Sequence, residues 1–137
     1  MKNNILKSVL AMVTLLLISC NNTSKTENIS VSSSQKSTIQ VIQFHSENRC
    51  MTCNKIEALT LKTLESYPDL KFTLVNVDDS KNGSRSEQFE ATGTALFLYN
   101  PTTDAKLDLT EFAFMTAGNE EKFVAELKKE IDLFLKS

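Results

Sequence analysis

The feature that most constrains the fold of this chain is a Cys-x-x-Cys motif placed between a strand pattern and a helix pattern. The motif is Cys50-Met51-Thr52-Cys53. Before it, residues 38–45 (TIQVIQFH) carry apolar and β-branched side chains on both faces, which is typical of a strand covered on both sides. After it, residues 50–67 carry apolar side chains at helical spacing, and the pattern ends before Pro68. The sequence therefore predicts two thiols where a central strand meets the first turn of a helix.

The remaining patterns predict a small sheet and two more helices. They are strands at 70–78, 94–99 and 106–110, a short helix at 85–90 and a final helix at 119–136. We expect the first two strands to be parallel because a helix joins them, and the last two to form an antiparallel hairpin because a short turn joins them. The predicted fold class is α/β, a mixed four-stranded sheet with helices on both faces in the order β-α-β-(short α)-β-β-α.

The composition fits one small domain with no affinity for nucleic acid. The chain has 137 residues, and a domain typically takes about 100–200, so we expect a single domain at residues 38–137. With 15 Lys and Arg against 17 Asp and Glu, the net charge is −2. This balance provides no basic patch, and we predict no nucleic-acid partner.

The first 19 residues have the pattern of a secretion signal. Lys2 and Lys7 precede an apolar run at residues 9–18. The run is shorter than the roughly 20 residues that a bilayer core requires, and a short apolar run after a basic start is typical of a cleaved signal peptide. The run ends in Leu17-Ile18-Ser19-Cys20, which resembles a bacterial lipobox. That resemblance implies cleavage after Ser19 and a lipid anchor on Cys20.

The segment that follows Cys20 predicts a tether between membrane and domain. Residues 20–37 are rich in Ser, Asn and Thr, and they contain too little apolar surface to fold, so we expect a flexible linker. Two or more acyl chains give a stable membrane anchor. We therefore expect the protein in the bacterial cell envelope. By resemblance to the usual sorting rule of bacterial lipoproteins, the lack of an Asp directly after Cys20 implies the outer membrane, with the domain on the periplasmic or surface side.

The two cysteines of the motif have the spacing of a reactive dithiol. A thiol at a helix start lies beside unpaired N–H groups and the positive end of the helix dipole, which stabilise its thiolate. Arg49 adds a positive charge next to Cys50, and Cys53, one turn later, comes within disulfide reach. Because so short a loop adds little entropic stabilisation, a redox-active pair is favoured over a structural disulfide.

Two other interpretations of these cysteines stay open. With His45, the single histidine, they supply three soft ligands, which suit copper or a trivalent metalloid better than a closed zinc site. Alternatively, the domain is a scaffold for protein contact in which the thiols have no function. We predict no resident metal, and no cofactor, because the sequence lacks a Gly-rich dinucleotide fingerprint.

The stretch Val41-Ile42-Gln43-Phe44-His45, the cysteine motif and the predicted element order together resemble the thioredoxin superfamily in a minimal form. The resemblance covers residues 38–137. It implies that Cys50 is an exposed nucleophile, that Cys53 is a buried resolving thiol, and that the partners are thiols and disulfides of envelope proteins. More narrowly, residues 48–53 (NRCMTC) and 75–78 (VNVD) resemble small bacterial proteins named nitrophenyl compound nitroreductase subunit, ArsF type.

The sequence departs from the thioredoxin pattern at three places. Thioredoxins carry a buried acid on the strand before the motif, where this chain has Gln43, which cannot titrate. They carry a cis-proline before the third strand, where this chain has Gly93-Thr94-Ala95. The loop at residues 46–49 is slightly longer than usual and lacks the aromatic residue that typically precedes the first cysteine.

An apolar run at residues 111–117 contains Phe112, Phe114 and Met115. We expect these side chains to pack in the core against the final helix. The alternative is that they form a docking patch for a partner near the reactive face.

Overall fold

The computed structural model describes residues 39–137. The predicted signal peptide at 1–19, the lipidation site Cys20 and the predicted tether at 20–37 lie outside the described residues. Within those residues, no helix is both long and apolar enough to cross a membrane.

The described part of the chain alternates strands and helices in the predicted order, with one helix added. A 3₁₀ turn at Ser80–Asn82 precedes the second helix. The elements are β1 (Gln40–His45), α1 (Met51–Leu64), β2 (Lys71–Asn76), α2 (Gly83–Gln88), β3 (Ala95–Asn100), β4 (Ala105–Asp108), α3 (Thr110–Thr116) and α4 (Glu120–Phe134).

The four strands form one mixed sheet in the order β2-β1-β3-β4. β1 runs parallel to β2 and antiparallel to β3, so that Phe44 lies opposite Val75 on one side and Ala95 on the other. β3 and β4 form the antiparallel hairpin. Both predicted pairings are confirmed. The carboxyl ends of β1 and β2 therefore meet the amino end of β3 at one edge of the sheet, where the cysteine motif follows β1.

Each face of the sheet has its own buried core. On one face, Val41, Leu96 and Leu98 pack under α1, α3 and α4, whose buried residues are Ile56, Leu59, Leu64, Ala113, Phe123, Leu127 and Ile131. On the other face, the end of α2 and the turn after it cover the sheet. The second core consists of Ile42, Phe44, Val75, Phe89, Ala91, Phe97 and Tyr99. Helices on both faces, as predicted, explain why β1 is apolar on both sides.

The final helix, α4, has both a capped amino end and a buried apolar stripe. The Asn119 side chain accepts a hydrogen bond from the Lys122 backbone N–H at 3.0 Å, and Glu120 and Glu121 lie at the positive end of the helix dipole. Phe123, Leu127 and Ile131 form the buried stripe. This stripe packs α4 against α1, which carries the cysteine motif at its start.

The main difference from the sequence prediction is α3. Residues 106–110 alternate in hydropathy and were expected to be a strand throughout, but β4 ends at Asp108 and α3 starts at Thr110. The Asp108 side chain accepts a hydrogen bond from the Thr110 N–H at 2.8 Å, which turns the chain out of the sheet. The strand prediction was therefore wrong at its carboxyl end.

The same helix corrects the predicted burial of the apolar run. Phe112 does pack against the core, with its ring centroid 5.1 Å from that of Phe123. Phe114 and Met115 point outward, with 43% and 79% of their surfaces exposed. The prediction that these two side chains pack in the core is therefore wrong. The helix buries Ala113 and Thr116, and this register turns Phe114 and Met115 away from α4.

We expect Phe123→Ala to destabilise the protein by about 3–5 kcal/mol, because Phe123 is fully buried between α4 and the sheet and its removal leaves a cavity. Urea unfolding followed by circular dichroism measures the change. Leu133→Ala on the same helix is the matched control. Because Leu133 is 54% exposed, we expect this variant to lose less than about 1 kcal/mol of unfolding free energy. Equal losses for both variants would contradict the described packing.

Candidate functional site

The two cysteines of the motif form a disulfide at the start of α1. Cys50 is the N-cap residue with an extended backbone, and Cys53 lies in the first helical turn. Their Cα atoms are 5.2 Å apart. The predicted position of the pair, between the central strand and the first turn of the helix, is confirmed.

The two sulfur-bearing residues differ sharply in exposure. Cys50 is exposed, whereas Cys53, in the first turn of α1, is only 6% exposed. An incoming sulfur atom therefore reaches the Cys50 side of the bond first. The exposure matches the roles that the thioredoxin resemblance implies for the two residues.

The Cys50 sulfur also serves as the cap of α1. The backbone N–H of Cys53 donates a hydrogen bond to Cys50 Sγ at 3.1 Å, and the Asn54 N–H donates to the Cys50 carbonyl at 3.1 Å. An anionic sulfur accepts such a bond more strongly than a neutral one, and it also gains from the helix dipole. The helix start therefore favours Cys50 as a thiolate once the disulfide is reduced.

Arg49 lies beside the pair but is engaged elsewhere. Its guanidinium forms a short ion pair with the carboxylate of Glu57, in the second turn of α1. Both side chains are only partly exposed, at 22% and 24%. The pair weakens the positive potential that a free Arg49 would exert on Cys50. The sequence offered no sign of this pairing.

Gln43 occupies the place of the acid that thioredoxins carry. It is fully buried on β1, and its Nε2 donates a hydrogen bond to the Cys53 carbonyl at 3.1 Å. Its Oε1 is buried without a hydrogen-bond partner among the described residues. The amide thus fixes the first turn of α1 to the central strand, and it does so without a group that exchanges protons.

The segment at the place of the family's cis-proline is open. None of the described peptide bonds is cis. Gly93 and Thr94 are half-buried and, with Glu90, Asp108 and neighbouring residues, line a groove of about 470 Å³ at the amino end of β3. This groove and the cysteine motif lie at the same edge of the sheet.

His45 does not complete a metal site with the cysteines in this oxidised state. Its ring Nδ1 lies 2.9 Å from the Ser46 carbonyl, at the end of β1. Across residues 39–137, no group of three or more His, Cys, Asp or Glu side chains is arranged to hold a metal ion.

A second groove lies beside the disulfide, and sequence reasoning missed it. Its volume is about 310 Å³, and it is lined by Met51, Thr52, Lys55, Phe114, Ala117 and Gly118. It was missed because α3 was not predicted. The sequence signal that could have indicated this groove was the apolar run at residues 111–117, in its alternative interpretation as a docking patch.

Comparisons with known proteins give limited similarity. No protein-family model matches this chain, and no curated protein matches it. Among solved structures, it is similar to thioredoxin f2 of Chlamydomonas reinhardtii, with 22% identity and a TM-score of 0.44, over 64% of this chain and 82% of that one. It is also similar to oxidised thioredoxin O2 of Arabidopsis thaliana, with 17% identity and a TM-score of 0.44, over 61% and 76%.

A third solved structure is similar to a comparable extent. It is the oxidised form of mitochondrial thioredoxin 3 of Saccharomyces cerevisiae, with 21% identity and a TM-score of 0.43, over 58% of this chain and 76% of that one.

We expect Gln43→Glu to make stability depend on pH. Burial raises the pKa of a carboxyl above its unfolded value, so the variant is most stable when protonated and loses stability as pH rises through the raised pKa. A rise of about two units corresponds to about 3 kcal/mol lost at pH 8 relative to pH 4, measured by urea unfolding at each pH. Gln40→Glu is the control because Gln40 accepts a hydrogen bond from Arg85, and it should show no such loss.

The fold assignment rests on the topology of the chain itself. A parallel β-α-β unit is followed by an antiparallel hairpin in the order β2-β1-β3-β4, and the cysteine pair lies at the start of the helix that follows the central strand β1. The chain therefore has a minimal thioredoxin-like fold, with a mixed four-stranded sheet and helices on both faces.

Proposed function

We propose that this protein exchanges disulfides with cysteines of partner proteins, with Cys50 as the nucleophile and Cys53 as the resolving thiol. One observation carries the proposal: an exposed Cys50 sulfur caps a helix and is bonded to a buried Cys53. Tight disulfides of this kind are more often labile than structural. The buried partner is positioned to release whatever Cys50 captures.

The exchange proceeds in two steps, and in each step one thiolate displaces another from a disulfide bond. In the reduced protein, the Cys50 thiolate attacks one sulfur of a partner disulfide, and the partner's other sulfur leaves with the bonding electron pair and takes up a proton. Cys53, after losing its proton, attacks Cys50 Sγ, and the first partner sulfur leaves in the same way. The pair loses two electrons and the partner gains them. Run in reverse, the disulfide oxidises a partner dithiol.

The chain's own groups support these steps. The Cys53 N–H, which donates to Cys50 Sγ, stabilises the thiolate before attack and again when Cys50 is the leaving group. Gln43 holds the turn that carries Cys53 but takes no proton, so the Cys53 proton passes to water or to the departing thiolate.

The cellular setting is part of the proposal. A lipid on Cys20 and a flexible segment at 20–37 would hold the domain at the bacterial envelope, where partner disulfides persist. The sequence patterns at 1–37 support this placement. We also propose that the protein is a member of the narrower ArsF-type group, because residues 48–53 and 75–78 resemble that group.

Trapping tests the roles of the two cysteines. We expect Cys53→Ser to accumulate a mixed disulfide at Cys50 when the reduced protein meets a disulfide-bonded peptide, because no second thiol releases it. Intact-mass measurement detects the added peptide. Cys50→Ser is the matched control and should form no adduct under the same brief exposure, because Cys53 is buried.

The outcome separates the proposal from its alternatives. The absence of any adduct with Cys53→Ser would contradict disulfide exchange. If the reduced wild-type protein then binds copper(I) or arsenite stoichiometrically and Cys50→Ser does not, the motif is a soft-ligand site.

The pairing of Arg49 gives a prediction about thiolate formation. We expect alkylation of Cys50 in Cys53→Ser to have a pH midpoint below the ordinary thiol value of about 8.5 because of the helix start. Arg49→Ala should raise this midpoint by less than about 0.5 units, because its charge is already paired with Glu57. Glu57→Gln should lower it by releasing the guanidinium. A large rise in Arg49→Ala would assign the main role to Arg49 instead.

A further inference from the structure

The groove beside the disulfide, called here the α1–α3 groove, is lined in part by Met51 and Thr52, the two residues between Cys50 and Cys53. Met51, the residue after Cys50, forms one wall with Thr52 and Lys55, and Phe114, Ala117 and Gly118 form the other. It lies on the face of the sheet that α1, α3 and α4 cover, whereas the groove at Gly93 and Thr94 is lined by Phe89 and Phe97 of the other core.

The α1–α3 groove has an apolar rim that folding leaves uncovered. Met51 is 89% exposed, Phe114 is 43% exposed, and Met115, next along α3, is 79% exposed. Single exposed apolar side chains are ordinary, but two that line one groove, with a third next to Phe114 in the sequence, form a patch of the kind that binds another molecule. Methionine adapts its shape to varied apolar partners. The rim therefore fits an apolar side chain without demanding one particular residue.

The charge of the groove is positive. Lys55 is the one charged side chain of its lining. The hydrogen bond and charge of Lys62 and, to a smaller extent, Lys55 hold the pKa of Glu120 below its usual value. Glu120 is hydrogen-bonded to Lys62 at 2.6 Å, and the charge of Lys55 is the smallest of the influences on its pKa, so Lys55 can also face a carboxylate from outside. The amino end of α1 adds to this preference.

We propose that the segment flanking a partner's reactive cysteine binds in the α1–α3 groove, with an apolar side chain between Met51 and Phe114 and a carboxylate facing Lys55. The partner is thus a protein or peptide whose cysteine lies near apolar and acidic residues. This inference rests on the proposed disulfide exchange. It defines which partner cysteines react fastest.

Peptide kinetics on the Cys53→Ser protein test the inference. The probes are two seven-residue peptides, each with a central cysteine held as a mixed disulfide with thionitrobenzoate. One carries Leu and Asp on both sides of the cysteine, and the other carries Ser and Lys. The Cys50 thiolate attacks the peptide sulfur, the S–S bond to the coloured thiolate breaks, and absorbance reports the rate. Each rate is divided by that for the small reagent without a peptide.

We expect the Leu and Asp peptide to react about tenfold faster, since partial burial of one apolar side chain corresponds to a factor of this size. The net charge of the chain is −2, so long-range attraction alone would favour the Lys peptide. A preference for the acidic peptide therefore reports a local site.

Two glycines provide matched variants for the two grooves. A Cβ at Gly118 or at Gly93 would meet no atom within 4 Å, so a longer side chain such as Gln can start from either position without a clash at its Cβ. We expect Gly118→Gln to abolish the preference by filling the α1–α3 groove, and Gly93→Gln to leave it. Lys55→Gln should remove the share of this rate preference that depends on the Asp side chains of the peptide.

Each other outcome overturns the inference in a recognisable way. Equal rates for both peptides would show exchange at Cys50 without use of the groove. Loss of the preference in Gly93→Gln alone would place the partner segment on the opposite side of the disulfide. A Cys50 that reacts with neither the peptides nor the small reagent would overturn the proposed function, and the inference with it.

Discussion

The chemistry of this domain depends on where α1 begins. The Cys50 sulfur accepts the Cys53 N–H that would otherwise be unpaired at the start of the helix, so one atom both caps α1 and faces solvent. The rest of the fold holds that helix start in place. The Gln43 amide ties the first turn to the central strand, and Ile56 and Leu59 bury the next turns against the sheet and α4. Unwinding the first turn of α1 would separate the exposed sulfur from the N–H that stabilises its anion.

The surroundings of the pair are simpler than those of the family it resembles. A neutral amide stands where thioredoxins have an acid, and a Gly-Thr segment stands where they have a cis-proline. What this chain has instead is α3, which follows the hairpin directly and brings Phe114 close to Met51. The groove next to the cysteine motif therefore lies on the face of the sheet that α1, α3 and α4 cover. In the scheme proposed above, partner selection and thiol chemistry lie in different parts of the domain.

Much of this arrangement followed from residue patterns because the patterns obey local rules. The apolar β1, the helix that ends near Pro68 and the turn before β4 fix a parallel and an antiparallel pairing, and they place Cys50 at a helix start. The predictions that failed depended on single side-chain contacts. The alternation at 106–110 continues the strand pattern, and the Asp108 turn that ends the strand has no apolar signature. The ion pair between Arg49 and Glu57 joins the residue before the helix cap to the second turn of α1, and no residue pattern indicated it.

The double role of the Cys50 sulfur links helix stability to electron transfer. A cap that holds an anion more firmly than a bonded sulfur makes the helix start more stable in the reduced protein than in the oxidised one. By the same thermodynamic cycle, whatever free energy the helix gains on reduction is added to the oxidising strength of the disulfide. Fraying of the amino end of α1, even through changes deeper in the helix, would then weaken the protein as an oxidant while leaving both sulfurs untouched.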